Sequence, residues 1–271
     1  MRIVSGGVTD VGRVRTNNED CFRIVESLDL FVLADGMGGE AHGEVASALA
    51  VETIVKSCMD PGVDAGATLV GNSEPTWSEK TKRLTSAVHR ANKNIYDAAE
   101  ANPEQHGMGA TLTAAWIDGS KLSIAHVGDS RAYLLRSGNL QQLTSDHSLV
   151  AEQVRRGILT AAEAEESEMQ SVLLRALGAL PDIEVDTDEH VLFARDIVML
   201  CCDGLTRMVT EPDWNPPRVV RYEDRYYRLE DYARGSGPRP FVYRLRRLAA
   251  GVPGRTVLVY SPDEAPITAN R

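Results

Sequence analysis

The sequence predicts an α+β fold in which antiparallel hairpins and helices are packed in layers. Three observations carry this expectation. Short apolar runs rich in Val, Ile and Leu recur at residues 30–34, 112–117, 122–127, 132–135 and 197–202, with the length and composition of buried strands. Two of the runs are followed by tight-turn chemistry, Asp118-Gly119 and Ser137-Gly138, as antiparallel hairpins require. The clearest helical patterns sit together, early in the chain, instead of alternating with strands.

Taken in order, a first helix follows residue 42, with Val45, Ala48, Leu49, Glu52 and Val55 sharing a mostly apolar face. Residues 60–77 carry Pro, Gly, Asn and Ser without periodicity and read as a loop. A second helix has Leu84, Val88, Ala91, Ile95 and Ala98 at steps of three and four, one apolar stripe. In Trp116-Ile117-Asp118-Gly119-Ser120-Lys121-Leu122, the Asp-Gly pair supplies the positive φ that a tight hairpin needs. Arg136-Ser137-Gly138-Asn139 reads as a second turn, and residues 148–168 read as helical. The stretch Pro212-Asp213-Trp214-Asn215-Pro216-Pro217 breaks any helix. Beyond it, residues 218–229, 241–248 and 256–260 read as strands. The expected organisation is therefore a main domain over residues 1–211 and a small Arg-rich β segment over 212–271.

Composition limits the function. With 271 residues, 43% of them hydrophobic, the chain buries a substantial core. The formal net charge is -10. Residues 212–271 hold 11 arginines, no lysine and 7 acidic residues, so 11 - 7 = +4, leaving -14 for residues 1–211. An acidic body repels nucleic acid and suits a cation site, whereas the basic segment suits an acidic partner or a solvated sheet face. No apolar run approaches the ~20 residues that span a bilayer. The N-terminal MRIVSGGVTDVGRV lacks the apolar core of a signal peptide, so a cytoplasmic protein without membrane partners is expected. Cys21, Cys58, Cys201 and Cys202 show no CxxC spacing and read as free thiols, the last two as inert core residues.

Asp35, Asp129 and Asp203 share a context. Each stands at the end of an apolar run beside a glycine, and Glu19-Asp20 precede another run. A single such aspartate is usually a turn-former or a helix cap. Several brought together would repel one another unless a cation compensated, and oxygen-only donors suit Mg²⁺ or Mn²⁺. Arg15, close to the Glu19-Asp20 pair, reads either as a salt-bridge partner or as a planar fork for phosphate. His42, His126 and His147 read as structural, with Asp146 and His147 placed as caps of the following helix.

The segments VGRVRTNNED, FVLADGMGGEAHGEVAS, GMGATLTAAW, LSIAHVGDSRAYLLR, LTSDHSLV and VMLCCDGLTRMV occur in the order found in metal-dependent serine/threonine protein phosphatases of type 2C. Over residues 5–210 the chain resembles the bacterial form of that family. The resemblance implies a four-layer αββα sandwich of two antiparallel sheets flanked by helices. It also implies two Mn²⁺ or Mg²⁺ ions with a weak third, and hydrolysis of phosphoserine and phosphothreonine in proteins by a metal-bridged hydroxide. Carried over by position, Asp35 would bridge both ions and Gly36 would bind one through its carbonyl. Glu19 and Asp20 would hold the second, Asp203 the first, and Asp129 the third together with Asp203. Arg15 would bind the substrate phosphate, and residues 148–177 would form the flap beside the site. Met37 stands where some relatives carry a histidine. The expected partners are phosphorylated proteins, targets of a serine/threonine kinase. The likeness stops at Val209, and the family's closing Asp-Asn has no counterpart: Pro253-Gly254 precede the last apolar run, with Asp213 and Asp263 as stand-ins. Two readings follow, a phosphatase and a non-catalytic relative that binds phosphoproteins or a regulatory partner.

Overall fold

The structure is a computed structural model that describes residues 3–9, 11, 15–38, 42–60 and 76–207, together with four later backbone strands at 218–222, 226–230, 244–246 and 255–260. The expected loop at 60–77 lies almost wholly outside these residues.

A six-stranded sheet contains β2 (Asp20–Val25), β3 (Leu30–Met37), β5 (Leu112–Asp118), β6 (Lys121–Val127) and β9 (Asp186–Val191) in that order, with the short β4 (Gly109–Ala110) paired to β3. A five-stranded sheet has the order β1 (Ile3–Val8), β14 (Arg255–Tyr260), β10 (Ile197–Cys201), β7 (Arg131–Arg136) and β8 (Asn139–Gln142). Both predicted turns close hairpins. Asp118 pairs with Lys121 across Gly119 (φ 57°), and Arg136 pairs with Asn139 across Ser137 (φ 52°) and Gly138 (φ 84°).

The alternation along β3 explains the layering. Leu30, Val32 and Ala34 face one way, and Phe31 and Leu33 the other, because successive strand side chains point to opposite faces. The first set packs with Leu84, Val88, Ala91 and Ile95 of α2 (Glu79–Ala101) and with Ala46, Ala50 and Ile54 of α1 (Gly43–Met59). The second meets Ala132, Leu134, Val198 and Leu200 of the other sheet. Outside that second sheet, Tyr133 and Cys201 pack with Leu205 of the short helix α5 (Asp203–Thr206), which represents the fourth layer among the described residues. Each fully buried Leu- or Ile-sized side chain contributes about 1.5–3 kcal/mol.

Three expectations need correction. The stripe on α2 is as predicted, but on α1 the buried face is Gly43, Ala46, Ser47, Ala50, Val51, Ile54 and Cys58, while Ala48 and Glu52 are exposed. The buried face is turned from the predicted one because α1 packs against both β3 and α2, while Val45, Leu49 and Val55 stay half-buried at its edge. Second, residues 148–168 are not one helix but two, α3 (Leu149–Arg155) and α4 (Ala161–Glu165), the latter opened by a Thr160–Glu163 capping box. Third, the cap of α3 is Ser148, whose side chain accepts from Ala151 N, so neither Asp146 nor His147 is a cap.

Beyond residue 212, β11 (Arg218–Tyr222), β12 (Tyr226–Glu230) and β13 (Arg244–Arg246) pair only with one another among the described residues. Strand β14 behaves differently, since it lies between β1 and β10 and runs parallel to both. Thr256 pairs with Ile197 and Tyr260 with Cys201, so the strand ends, rather than begins, beside the approach to Asp203.

Candidate metal centre

The carboxylates converge because four separate segments meet at one edge of the sandwich. Asp20 opens β2 and pairs directly with Asp35 on β3. Asp35 does not close its strand: β3 runs on through Gly36 and Met37, which pair with Ala110 and Gly109 of β4. Its main chain is fixed on both sides, donating to Thr111 Oγ1 at 3.1 Å and accepting from Thr111 N at 2.8 Å. Asp129 follows Gly128 in the turn from β6 to β7, and Asp203 is the first residue of α5.

Electrostatics report how close these groups are. The Asp35 carboxyl is pushed well above its ordinary range, first by burial and then by the charges of Asp20, Asp203 and Asp129, with a hydrogen bond to Asp203. Asp129 is pushed up to about 7, first by burial and then by Asp203 and Asp146, against the opposing pull of Arg207 and Arg131. Burial and mutual repulsion thus both disfavour the ionised form of Asp35 and Asp129, the condition that a divalent cation relieves.

Glu19 stands at the edge of this group. Its carbonyl accepts from Gly36 N at 3.0 Å, and its carboxylate lies against Gly43, the first residue of α1. A Cβ on Gly36 would sit 2.1 Å from Gly43 O and 2.7 Å from Glu19 O, so only glycine fits at this crossing. Arg15, exposed, extends Nη1 to within 3.4 Å of Glu19 Oε2.

Two contacts were not foreseen in the sequence. Cys202 is buried but not remote: its Sγ donates to Asp20 Oδ2 at 3.4 Å, and ligand atoms of Asp20, Asp35 and Cys202 all lie within 4.8 Å of one another. Cys201, by contrast, is the expected core thiol, with burial pushing it up to about 12. Arg207 pairs with Asp203 at 2.8 Å and brings a guanidinium to the rim. The histidines stay outside the cluster. His42 faces Glu44 at 3.3 Å, and His126 bonds Thr113 Oγ1 and Ser145 O. Asp146 holds Arg131 through both carboxylate oxygens. Asp213 and Asp263 lie outside the described residues.

Apart from the Cys202 thiol, the groups gathered here are carboxylate oxygens, donors that suit Mg²⁺ or Mn²⁺ better than a soft metal. Known proteins share this arrangement of elements. The serine/threonine phosphatase stp of Listeria innocua is 40% identical over 208 residues, 76% of this chain and 79% of that protein. The crystal structure of the catalytic domain of the serine/threonine protein phosphatase PstP, in complex with two manganese ions, is 36% identical with a TM-score of 0.62, covering 76% of this chain and 79% of that one. Stp1 of Staphylococcus aureus superposes with a TM-score of 0.66 at 30% identity, covering 80% and 82%. The family model for protein phosphatase 2C matches residues 13–233, most of the sequence and across the break at residue 212. By that match, this chain belongs to the protein phosphatase 2C family.

Proposed function

We propose that this protein is a Mn²⁺- or Mg²⁺-dependent phosphatase of phosphoserine and phosphothreonine in proteins. The observation that carries the reading is Asp35 ringed by Asp20, Asp129 and Asp203 in a chain of this family. Asp35 and the Gly36 carbonyl would be central to holding the two ions. Glu19 and Asp20 would serve the second ion, Asp203 the first, and Asp129 with Asp203 an accessory one. When bound, the ions supply Lewis-acid charge and lower the pKa of coordinated water.

The remaining work belongs to the chain's own residues. Arg15, exposed at the rim, is assigned to the substrate phosphate, where its fork stabilises charge on the equatorial oxygens. Arg207 is held by Asp203 and adds positive potential on the same approach. Gly36 and Gly43 let the β3 end and the α1 start touch, which sets the Asp35 carboxylate against Asp20. Cys202 takes no nucleophilic part, since hydrolysis needs no phosphoenzyme.

Substrates are then proteins modified by a serine/threonine kinase, and the protein acts in signalling. The free state of the described cysteines suits a reducing cytoplasm. No described helix is long and apolar enough to cross a membrane. As for organisation, we assign residues 1–211 together with β14 to the phosphatase body, and the intervening Arg-rich strands to contact with an acidic partner. Nothing among the comparisons favours a non-catalytic role.

The test is hydrolysis of a phosphothreonine peptide with Mn²⁺, with and without chelator. A chelator-sensitive rate well above that of Asp35→Ala is expected. A rate equal to that control refutes the assignment.

A further inference from the structure

Two guanidinium groups act on Asp129, and they are held very differently. The Asp129 carboxyl, pushed up first by burial, is pulled back by Arg207 and then by Arg131. Arg131 is fixed on β7. It donates from Nε and Nη2 to the two oxygens of Asp146, at 2.9 and 2.7 Å, and from Nη1 to Tyr133 Oη at 2.9 Å. Tyr133 is itself buried.

Arg207 stands at the end of α5, where its N–H donates to Asp203 O at 2.8 Å. The four-residue step puts the two side chains on one face of the turn, and Arg207 Nη2 reaches Asp203 Oδ2 at 2.8 Å. The Arg207 side chain is 42% exposed and that of Asp203 26%. A pair this wet exchanges with water at little cost, whereas a guanidinium with three fixed bonds does not.

Asp203 is also the shared member of the cluster. It hydrogen-bonds Asp35, and its charge raises both Asp35 and Asp129. A guanidinium and a divalent ion seek the same carboxylate lone pairs and repel each other, so they compete for Asp203.

We propose that Arg207 is a tethered competitor of the accessory cation, a positioning residue whose guanidinium compensates the charge of Asp203 and Asp129 until an ion displaces it into solvent. Arg131 then gives the position a constant field, and Arg207 a field that can be withdrawn. Filling the position shared by Asp129 and Asp203 requires a higher ion concentration than the carboxylates alone would need. This deepens the phosphatase reading and rests on it for the assignment of Asp129 and Asp203 to a cation.

The test uses the full chain with Arg207→Gln, Arg207→Lys, Asp129→Asn, and Arg207→Gln combined with Asp129→Asn. Mn²⁺ binding is read by titration calorimetry, and the thermal midpoint is measured in chelator. We expect Arg207→Gln to tighten the weakest Mn²⁺ site about two- to fivefold, the range that a part-exposed ion pair is worth. The same variant should lower the midpoint in chelator by about 1–4 °C, so the substitution weakens the fold without metal and strengthens metal binding. Arg207→Lys keeps the charge within reach of Asp203 and should stay within about twofold of the parent. In the Asp129→Asn background, Arg207→Gln should change the remaining Mn²⁺ sites by less than about 1.5-fold. Unchanged or weaker Mn²⁺ binding in Arg207→Gln overturns the competition. Equal tightening in the Asp129→Asn background also overturns it, because net charge alone then accounts for the effect. The titrations do not depend on turnover. A parent that binds Mn²⁺ but hydrolyses no phosphothreonine peptide therefore refutes the phosphatase reading, while the Arg207→Gln titration still decides the competition.

Discussion

Replacing Asp129 with asparagine should stabilise the metal-free protein at pH 8 and leave it nearly unchanged at pH 4. The Asp129 carboxyl ordinarily titrates at 3.8 and is pushed to about 7 in the fold, chiefly by burial and by Asp203. A raised folded value means that the native state holds its proton more tightly than the unfolded chain. Stability from this group is therefore full below 3.8 and is lost as pH rises through about 7. Each pH unit between those limits is worth about 1.4 kcal/mol, so ionised Asp129 costs the fold up to about 4 kcal/mol at pH 8. Asparagine keeps the volume and removes the charge. Allowing for side-chain relaxation, the gain is about 2–4 kcal/mol, or a rise in thermal midpoint of roughly 5–15 °C. Calorimetric scans in chelator at pH 4, 6 and 8 measure it. With saturating Mn²⁺ the order should reverse, because only the parent keeps the full ligand set. A pH-independent difference, or a variant less stable than the parent at pH 8 in chelator, would refute the electrostatic account of the cluster.

Three further outcomes follow from the same geometry. Gly36→Ala places a Cβ 2.1 Å from Gly43 O, and overpacking of this kind costs about 1–3 kcal/mol; scanning calorimetry should show the loss and a Mn²⁺ titration a weakened site. Mn²⁺ must displace a proton from Asp129 below pH 7, so its affinity should rise about tenfold from pH 6 to pH 8, with proton uptake by the buffer visible in calorimetry. Truncation after residue 254 removes the strand between β1 and β10, and should abolish the single cooperative unfolding transition, because two buried edges lose their partners; coincident circular-dichroism and fluorescence transitions in the truncated chain would contradict this.

Much of this architecture was legible in the sequence, for identifiable reasons. Residues 30–34 betrayed a doubly covered strand because every position is apolar, and both turns carried residues suited to positive φ. Asp35, Asp129 and Asp203 could be singled out because each interrupts an apolar context beside glycine. What escaped notice depends on distance in three dimensions. The apolar stripe of Val45 and Leu49 on α1 was plausible by period, but a helix packed against both β3 and α2 buries the neighbouring face of Ala46, Ala50, Val51 and Ile54 more deeply. The Cys202 thiol looked like core until the fold set it beside Asp20. The direction of β14 could not be read from its residues, because a strand's composition does not reveal whether its neighbours run parallel.

The contact between Cys202 and Asp20 spans 182 positions, and this has a consequence for how the protein is made. At a synthesis rate of about 5–20 residues per second, Asp203 leaves the ribosome roughly 10–40 s after Asp20. Until then the nascent chain holds an acidic pair, Asp20 opposite Asp35, without the Asp203 carboxylate of α5. Strand β14, which closes the smaller sheet, comes later still. The proposed cation centre is therefore a product of the finished polypeptide, and an interrupted translation product would lack it.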